Sequence, residues 1–265
     1  LGTIIVETKQ IRSFNREKTI HIYLPTGYGL NTKSYPVLYM HDGHNLFDQK
    51  TSAFNASWNI HHTLDEIENQ MGLNMIVVGI DCPTDQRFNE YSPWINTNVN
   101  ESISYLQGTT YGGEGETYIK WIVYELKPWM DANFHTISNK TYMAGSSMGG
   151  LISVYAGCRF PEIFTAIGVF SPAIWFAKAS FLEYVNNNCS PNQAIYLTIG
   201  TNETSDPSRK NFPKIYLSDA RDLYNVLLKN QVTQTVYIET EGGTHSEKTW
   251  ELQFPAFAKW LLMRP

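Results

Sequence analysis

Along the N-terminal part of the chain, apolar and polar side chains alternate. GTIIVETKQIRS (2–13) and TIHIYLP (19–25) follow a period of two, the pattern of half-buried strands. Beyond them the pattern changes to short continuous apolar runs. YPVLYMHDG (35–43), LNMIVVGIDCP (73–83), KTYMAGSS (140–147), FTAIGVFSP (164–172), AIYLTIGTN (194–202) and QTVYIETEG (234–242) each climb through β-prone residues and stop at a turn signal. Such runs predict strands covered on both faces. Helical spacing occupies the intervals: SWNIHHTLDEIENQM (57–71), GETYIKWIVYELKPWMDANF (115–134), MGGLISVYAGC (148–158), SDARDLYNVLLKN (218–230) and TWELQFPAFAKWLLM (249–263). Alternation of strand and helix predicts a mostly parallel sheet with an antiparallel N-terminal edge and helices on both faces. No repeat, low-complexity tract or linker interrupts it, so residues 1–265 are expected to form a single domain.

The stretch without clear pattern, Pro83 to Gly113, holds Tyr91, Trp94, Tyr105 and Tyr111. Its aromatic content argues for an ordered functional loop rather than a disordered one.

One segment breaks the rhythm of buried runs. In TYMAGSSMGGLISVYA (141–156) two serines and three glycines stand between a strand and a helix. Gly145-Ser146-Ser147-Met148-Gly149 is a G-x-S-x-G pattern. A sharp strand-to-helix turn strains its central residue, and glycines two positions either side relieve the crowding. Ser147 is then held at the C-terminal edge of the sheet and at a helix N-terminus, which favours negative charge. A serine nucleophile needs a base and the base an orienting acid, in the chain order Ser, acid, His for this topology. Of seven histidines only His245 follows Ser147, and Gly242-Gly243 free its loop to swing back over the sheet edge. The acid belongs on the loop TNETSDP after AIYLTIG, where Glu203 and Asp206 both reach; Glu203 is nearer the strand end and is preferred. The oxyanion hole calls for the N–H of Met148 and a second donor after the early strand ending near His41, from His44 or Asn45. His41 and His44 lack a third ligand nearby, and the adjacent His61 and His62 point apart on a helix, so no metal and no other cofactor is expected.

The rest of the composition narrows the setting. Net charge is −5 with 17% charged residues, which argues against nucleic acid as a partner. No apolar run approaches the ~18 residues of a membrane span, so no membrane partner is expected. The N-terminus lacks a signal-peptide pattern, and three widely spaced cysteines fit thiols in a reducing compartment; both point to the cytoplasm. Oligomeric state is left open.

VLYMHDGHNLF, SWNIHHTLDEI, GGEGETYIKWIVYELKPWMD, GSSMGG, SPAIW, GTNE and a late GGTH followed by Trp250 together resemble an esterase family of α/β-hydrolases. That family includes enterochelin esterases, feruloyl esterase domains, esterase D and mycolyltransferases. The similarity runs from about Thr19 to Trp260. The resemblance implies the α/β-hydrolase fold and a serine esterase with Ser147 as nucleophile, His245 as base and Glu203 as acid. It implies Met148 and His44 as the oxyanion donors, and aromatic cleft positions at Trp175 and Trp58, with core packing equally open for Trp58. Trp94 on the aromatic loop is a further candidate for the cleft wall. The interval between GVFSP and AIYLTIG is too short for a large cap domain. The expected partner is a small-molecule ester, with an aryl, carbohydrate or siderophore part. Acyl transfer to an alcohol and a catalytically silent binding module are the competing functions.

Overall fold

The computed structural model describes residues 1–30, 32–52 and 55–265. In chain order its elements are β1 (Thr3–Ile11), β2 (Arg16–Leu24), β3 (Tyr35–His41), α1 (Ile60–Met71), β4 (Ile76–Ile80), α2 (Arg87–Glu90), β5 (Ile95–Asn96), α3 (Val99–Ser102), β6 (Tyr111–Gly112) and α4 (Gly115–Trp121). They continue with a π-helical turn (Ile122–Leu126), α5 (Lys127–Asn133), β7 (Thr136–Ser146), α6 (Met148–Arg159), β8 (Phe164–Phe170), α7 (Lys178–Asn188), β9 (Ala194–Asn202), α8 (Phe212–Lys229), β10 (Thr235–Thr244) and α9 (Glu247–Leu262).

Eight strands form one sheet in the order β1-β2-β4-β3-β7-β8-β9-β10. The alternating N-terminal segments pair antiparallel, Thr3 opposite Leu24 through to Ile11 opposite Arg16, and β2 is antiparallel to β4. The continuous apolar runs pair parallel: β3 with β4, β8 with β9, β9 with β10. This is the mostly parallel sheet with an antiparallel N-terminal edge that the two apolar patterns predict.

The chain divides by its contacts into two compact units. The first comprises residues 1–82, 120–143 and 246–265. Its strands β3 and β4 are almost wholly buried, and α1 packs against α9. Trp58 sits in this packing with 2% of its surface exposed, its ring centroid 5.6 Å from Trp250 and 6.3 Å from Phe254. At the end of β3, Asp42 takes φ 55°, and Gly43 lies so close to β4 that an added Cβ would come within 2.6 Å of the Gly79 carbonyl carbon.

The second unit comprises residues 83–119 and 144–245. Helix α6 is buried along Met148–Cys158 and packs on β8 and α7, while α8 packs on β9 and α7. The patternless stretch is ordered by α2, α3 and the β5–β6 ribbon. Asp206 pins it: Oδ2 accepts from the Ser104 N–H at 2.7 Å and the Ser104 hydroxyl at 2.6 Å, while Oδ1 accepts from the Ser208 N–H at 2.9 Å. These donors hold the Asp206 carboxyl well below the usual carboxylate range. Asn96 adds a bond from Nδ2 to the Phe176 carbonyl at 2.7 Å. Helix α7 was not anticipated from the pattern, and α8 begins six residues earlier than its predicted start at Ser218, with Pro213 in its first turn.

No helix among the described residues is long and apolar enough to cross a membrane. Cys82, Cys158 and Cys189 are buried thiols.

Two outcomes are expected. Trp58→Ala should cost about 3–5 kcal/mol of stability in urea unfolding, the range for removing a buried large aromatic; a loss below about 1 kcal/mol would contradict the packing. Asp206 binds protons more weakly folded than unfolded, so it contributes stability that is present above about pH 4 and lost as pH falls below it. The melting temperature of Asp206→Asn should therefore lie below that of the parent at pH 7, with the gap closing toward pH 2. A gap of constant size across that range would remove the carboxylate from this role.

Candidate active site

Strand β7 delivers the chain directly into α6, and Ser147 is the single residue between them. Its backbone stands at φ 59°, ψ −122°, a region that side-chain-bearing residues rarely occupy. Three hydrogen bonds hold it there. Its N–H donates to the Phe170 carbonyl at 2.9 Å, and its carbonyl accepts from Leu151 at 3.1 Å and Ala173 at 3.0 Å. Beside the turn, a Cβ on Gly150 would lie 3.3 Å from the Gly145 and Phe170 carbonyl oxygens and from Pro172. Gly150 thus lets α6 sit tight against the end of β8, a role the G-x-S-x-G spacing does not reveal. Ser147 is 7% exposed, and Met148 opens α6 at the position whose N–H has no partner within the helix.

The second unit also holds Glu203 and His245. Glu203 is fully buried, and its carboxylate is met by three donors. Oε1 accepts from the Ser171 hydroxyl at 2.6 Å and the Gly200 N–H at 2.8 Å; Oε2 lies 2.7 Å from His245 Nδ1. A buried carboxylate without such partners would be strongly disfavoured. The histidine arrives by a break in strand register. β10 pairs regularly with β9 up to Thr240 opposite Gly200, then resumes at Thr244 opposite Asn202. Within the bulge Gly242 takes φ 69°, and its N–H donates to Thr201 Oγ1 at 2.8 Å. At Gly200 the two strands nearly touch: an added Cβ would stand 2.2 Å from the Gly243 carbonyl oxygen. Glycine at both positions is what the close approach requires.

Tyr216, from α8, packs against the histidine. It is fully buried, with its ring centroid 4.9 Å from that of His245. Its hydroxyl lies 2.5 Å from Ser205 Oγ. Burial pushes the phenol up to about 12.

Of the two candidate acids, the structure brings Glu203 to His245 and places Asp206 on Ser104 and Ser208. Of the three tryptophans, Trp175 stands beside Tyr216, with ring contacts to Phe88 at 6.5 Å and Phe212 at 5.6 Å. Trp94 lies in a separate cluster, edge-on to Tyr155, Phe181 and Tyr184 at 5.7–5.8 Å. Trp58 is in the core of the first unit and offers almost no surface to a ligand. Beside Trp175, the half-exposed Phe88 and Tyr111 form a ring pair at 5.8 Å. In the first unit His44 occupies the 3-10 turn Gly43–Asn45, with Nδ1 3.8 Å from Asp81 Oδ1. No group of three His, Cys, Asp or Glu side chains among the described residues is placed to hold a metal ion.

Sequence reasoning did not find Ser171 or Tyr216. Ser171 carried a usable signal: it follows β8, whose C-terminal end lies at the sheet edge where such folds place their chemistry. Tyr216 carried none, because a tyrosine on an amphipathic helix reads as core.

A family model described as "Putative esterase" matches residues 11–261. Ferri-bacillibactin esterase BesA of Bacillus subtilis is 24% identical over 261 residues, covering 90% of this chain and 83% of that protein. The uncharacterized protein YbbA of the same organism is 24% identical over 252 residues, covering 93% and 92%. Among solved structures, the BES protein from Bacillus cereus superposes with a TM-score of 0.77 at 19% identity, covering 98% of this chain and 96% of that one. That likeness shows a shared fold. With the family match spanning nearly the whole sequence, the chain belongs to this esterase family, on an α/β-hydrolase-type fold.

Proposed function

We propose that the protein is a serine carboxylesterase that cleaves a carboxylic ester through an acyl-enzyme. The observation that carries this reading is the buried Glu203 carboxylate 2.7 Å from His245 Nδ1, in the same unit as a serine held at φ 59° in the strand-to-helix turn. Glu203 fixes the imidazole with its proton on Nδ1, which leaves Nε2 as the base. Ser147 Oγ attacks the ester carbonyl and passes its proton to His245. The oxyanion of the tetrahedral intermediate takes the Met148 N–H as a donor, helped by the N-terminal end of α6. On the sequence argument alone, the second donor is the His44 N–H. Collapse of the intermediate expels the alcohol, which leaves with the proton from His245. Water then attacks the acyl-serine along the same path in reverse roles.

The aromatic surround of Trp175, Phe88 and Tyr111 supports an ester with an aromatic part. The likeness to BesA, a ferri-bacillibactin esterase, points the same way and makes a siderophore-type ester the first substrate class to try.

Ser147→Ala should reduce turnover of p-nitrophenyl acetate by at least about 10⁴-fold, and Glu203→Gln by about 10³–10⁴-fold. Asp206→Asn, assayed alongside at neutral pH, should stay within a few-fold of the parent. Undiminished turnover in Ser147→Ala, or equal losses at Glu203 and Asp206, would overturn the assignment.

A further inference from the structure

The eight-stranded sheet ends on one side at β1 and on the other at β10. An edge strand turns a row of backbone N–H and C=O groups outward, and proteins blunt such a row with bulges, glycines or charge. β10 is blunted in this way. Its register breaks between Thr240 and Thr244, Gly242 takes φ 69° within the break, and Glu239 holds Arg221 by bonds of 2.7 and 2.8 Å. β1 has no such device. It runs nine residues in unbroken register with β2, contains neither proline nor glycine, and leaves Ile4 37% and Val6 60% exposed.

Three hydrogen bonds fix which backbone groups face outward. Along an antiparallel strand, residues alternate between turning both groups toward the partner strand and turning both away. Thr8 stands opposite Thr19, whose carbonyl accepts from the Asp81 N–H at 3.0 Å and therefore faces away from β1. The Gln10 carbonyl accepts from Trp121 Nε1 at 3.1 Å, and the Gly2 N–H donates to Asp65 Oδ1 at 2.9 Å. All three place the outward groups on the even-numbered residues. Gly2 and Gln10 are capped by side chains of α1 and α4. Between them Ile4, Val6 and Thr8 present three N–H and three C=O groups with no partner among the described residues.

We propose that this edge pairs with the same edge of a second copy, antiparallel about a two-fold axis at Val6, so that two sheets become one. In that register Val6 meets Val6 and Ile4 meets Thr8, which satisfies all six groups and leaves both caps in place. A register centred on Ile5 needs a group of the capped Gly2, and one centred on Thr8 needs the capped Gln10. A register centred on Glu7 sets two carboxylates directly opposite each other. Centred on Val6, Glu7 meets Ile5 and Lys9 meets Thr3, and each Glu7 keeps its own Lys9 at 3.6 Å. The only charged side chains of β1 are that pair, so the edges meet as neutral surfaces although each chain carries −5. Ile4 and Val6 of both copies then line one face and shield each other from water. Such a contact is isologous: the same strand is complementary to itself.

This interface is independent of the esterase reading. Light scattering on size-exclusion fractions should show a species of twice 30.3 kDa that grows with loading concentration, as a contact of small area forms reversibly. Val6→Lys, which sets two ammonium groups opposite each other, should stay at 30.3 kDa throughout and keep parental turnover of p-nitrophenyl acetate. The native thiols are buried, so an introduced cysteine can be addressed alone. Val6→Cys should form a covalent dimer with a short thiol–thiol cross-linker. Thr8→Cys, about 13 Å from its counterpart in this register, should not. If Val6→Lys does not fold, the two cysteine variants decide the matter. A parent at 30.3 kDa at every concentration, a dimer that survives in Val6→Lys, or equal cross-linking at positions 6 and 8 would overturn the proposal.

Discussion

The site depends on one backbone conformation. Ser147 sits at φ 59°, ψ −122°, where its Cβ crowds the chain, at a cost of about 1–3 kcal/mol. Such strain persists only where neighbouring structure over-determines it. Here the Phe170 carbonyl at the end of β8 receives its N–H, and Ala173 and Leu151 donate to its carbonyl. The same bonds join the Ser147 turn to the next strand and the loop after it. A chain relaxed at Ser147 would forfeit three hydrogen bonds of ordinary length to relieve the strain.

The proposed acid–base pair rests on a second constraint of the same kind. Glu203 has no access to water, so its charge is tolerable only because Ser171, Gly200 and His245 converge on it. That convergence needs β9 and β10 to approach until backbone meets backbone at Gly200 and Gly243. Two glycines and a register break thus convert a regular parallel pair into a device that carries a histidine to a buried carboxylate. Ser171, itself at φ 46°, is supplied by the strand that also receives the Ser147 N–H. The proposed nucleophile and the proposed acid therefore share β8 as a support.

Most of the architecture could be read from periodicity, because buried parallel strands leave continuous apolar runs and the N-terminal hairpin leaves alternation. The misses have physical causes. KASFLEYVNNN at α7 lacks a strong apolar stripe, burying only Phe181 and Val185, so its helix has little signature. The start of α8 was hidden by Pro213, which reads as a breaker but is well suited to a first turn. At the candidate site, the residues the sequence points to are those that local chain geometry fixes: Ser147 by its flanking glycines, His245 by the Gly242-Gly243 loop, Glu203 by its distance to the strand end. A residue packed in from another element is not legible in this way, since nothing local distinguishes Tyr216, whose ring meets that of His245, from a core tyrosine.

The central claim is that the strained turn presents Ser147 as an activated nucleophile. Incubation with a fluorophosphonate followed by peptide mapping measures that reactivity residue by residue. The account predicts one adduct per chain, on Ser147, in a protein with 40 other serine and threonine hydroxyls to compete for the reagent. An unmodified Ser147, or an adduct carried by a different serine, would contradict it.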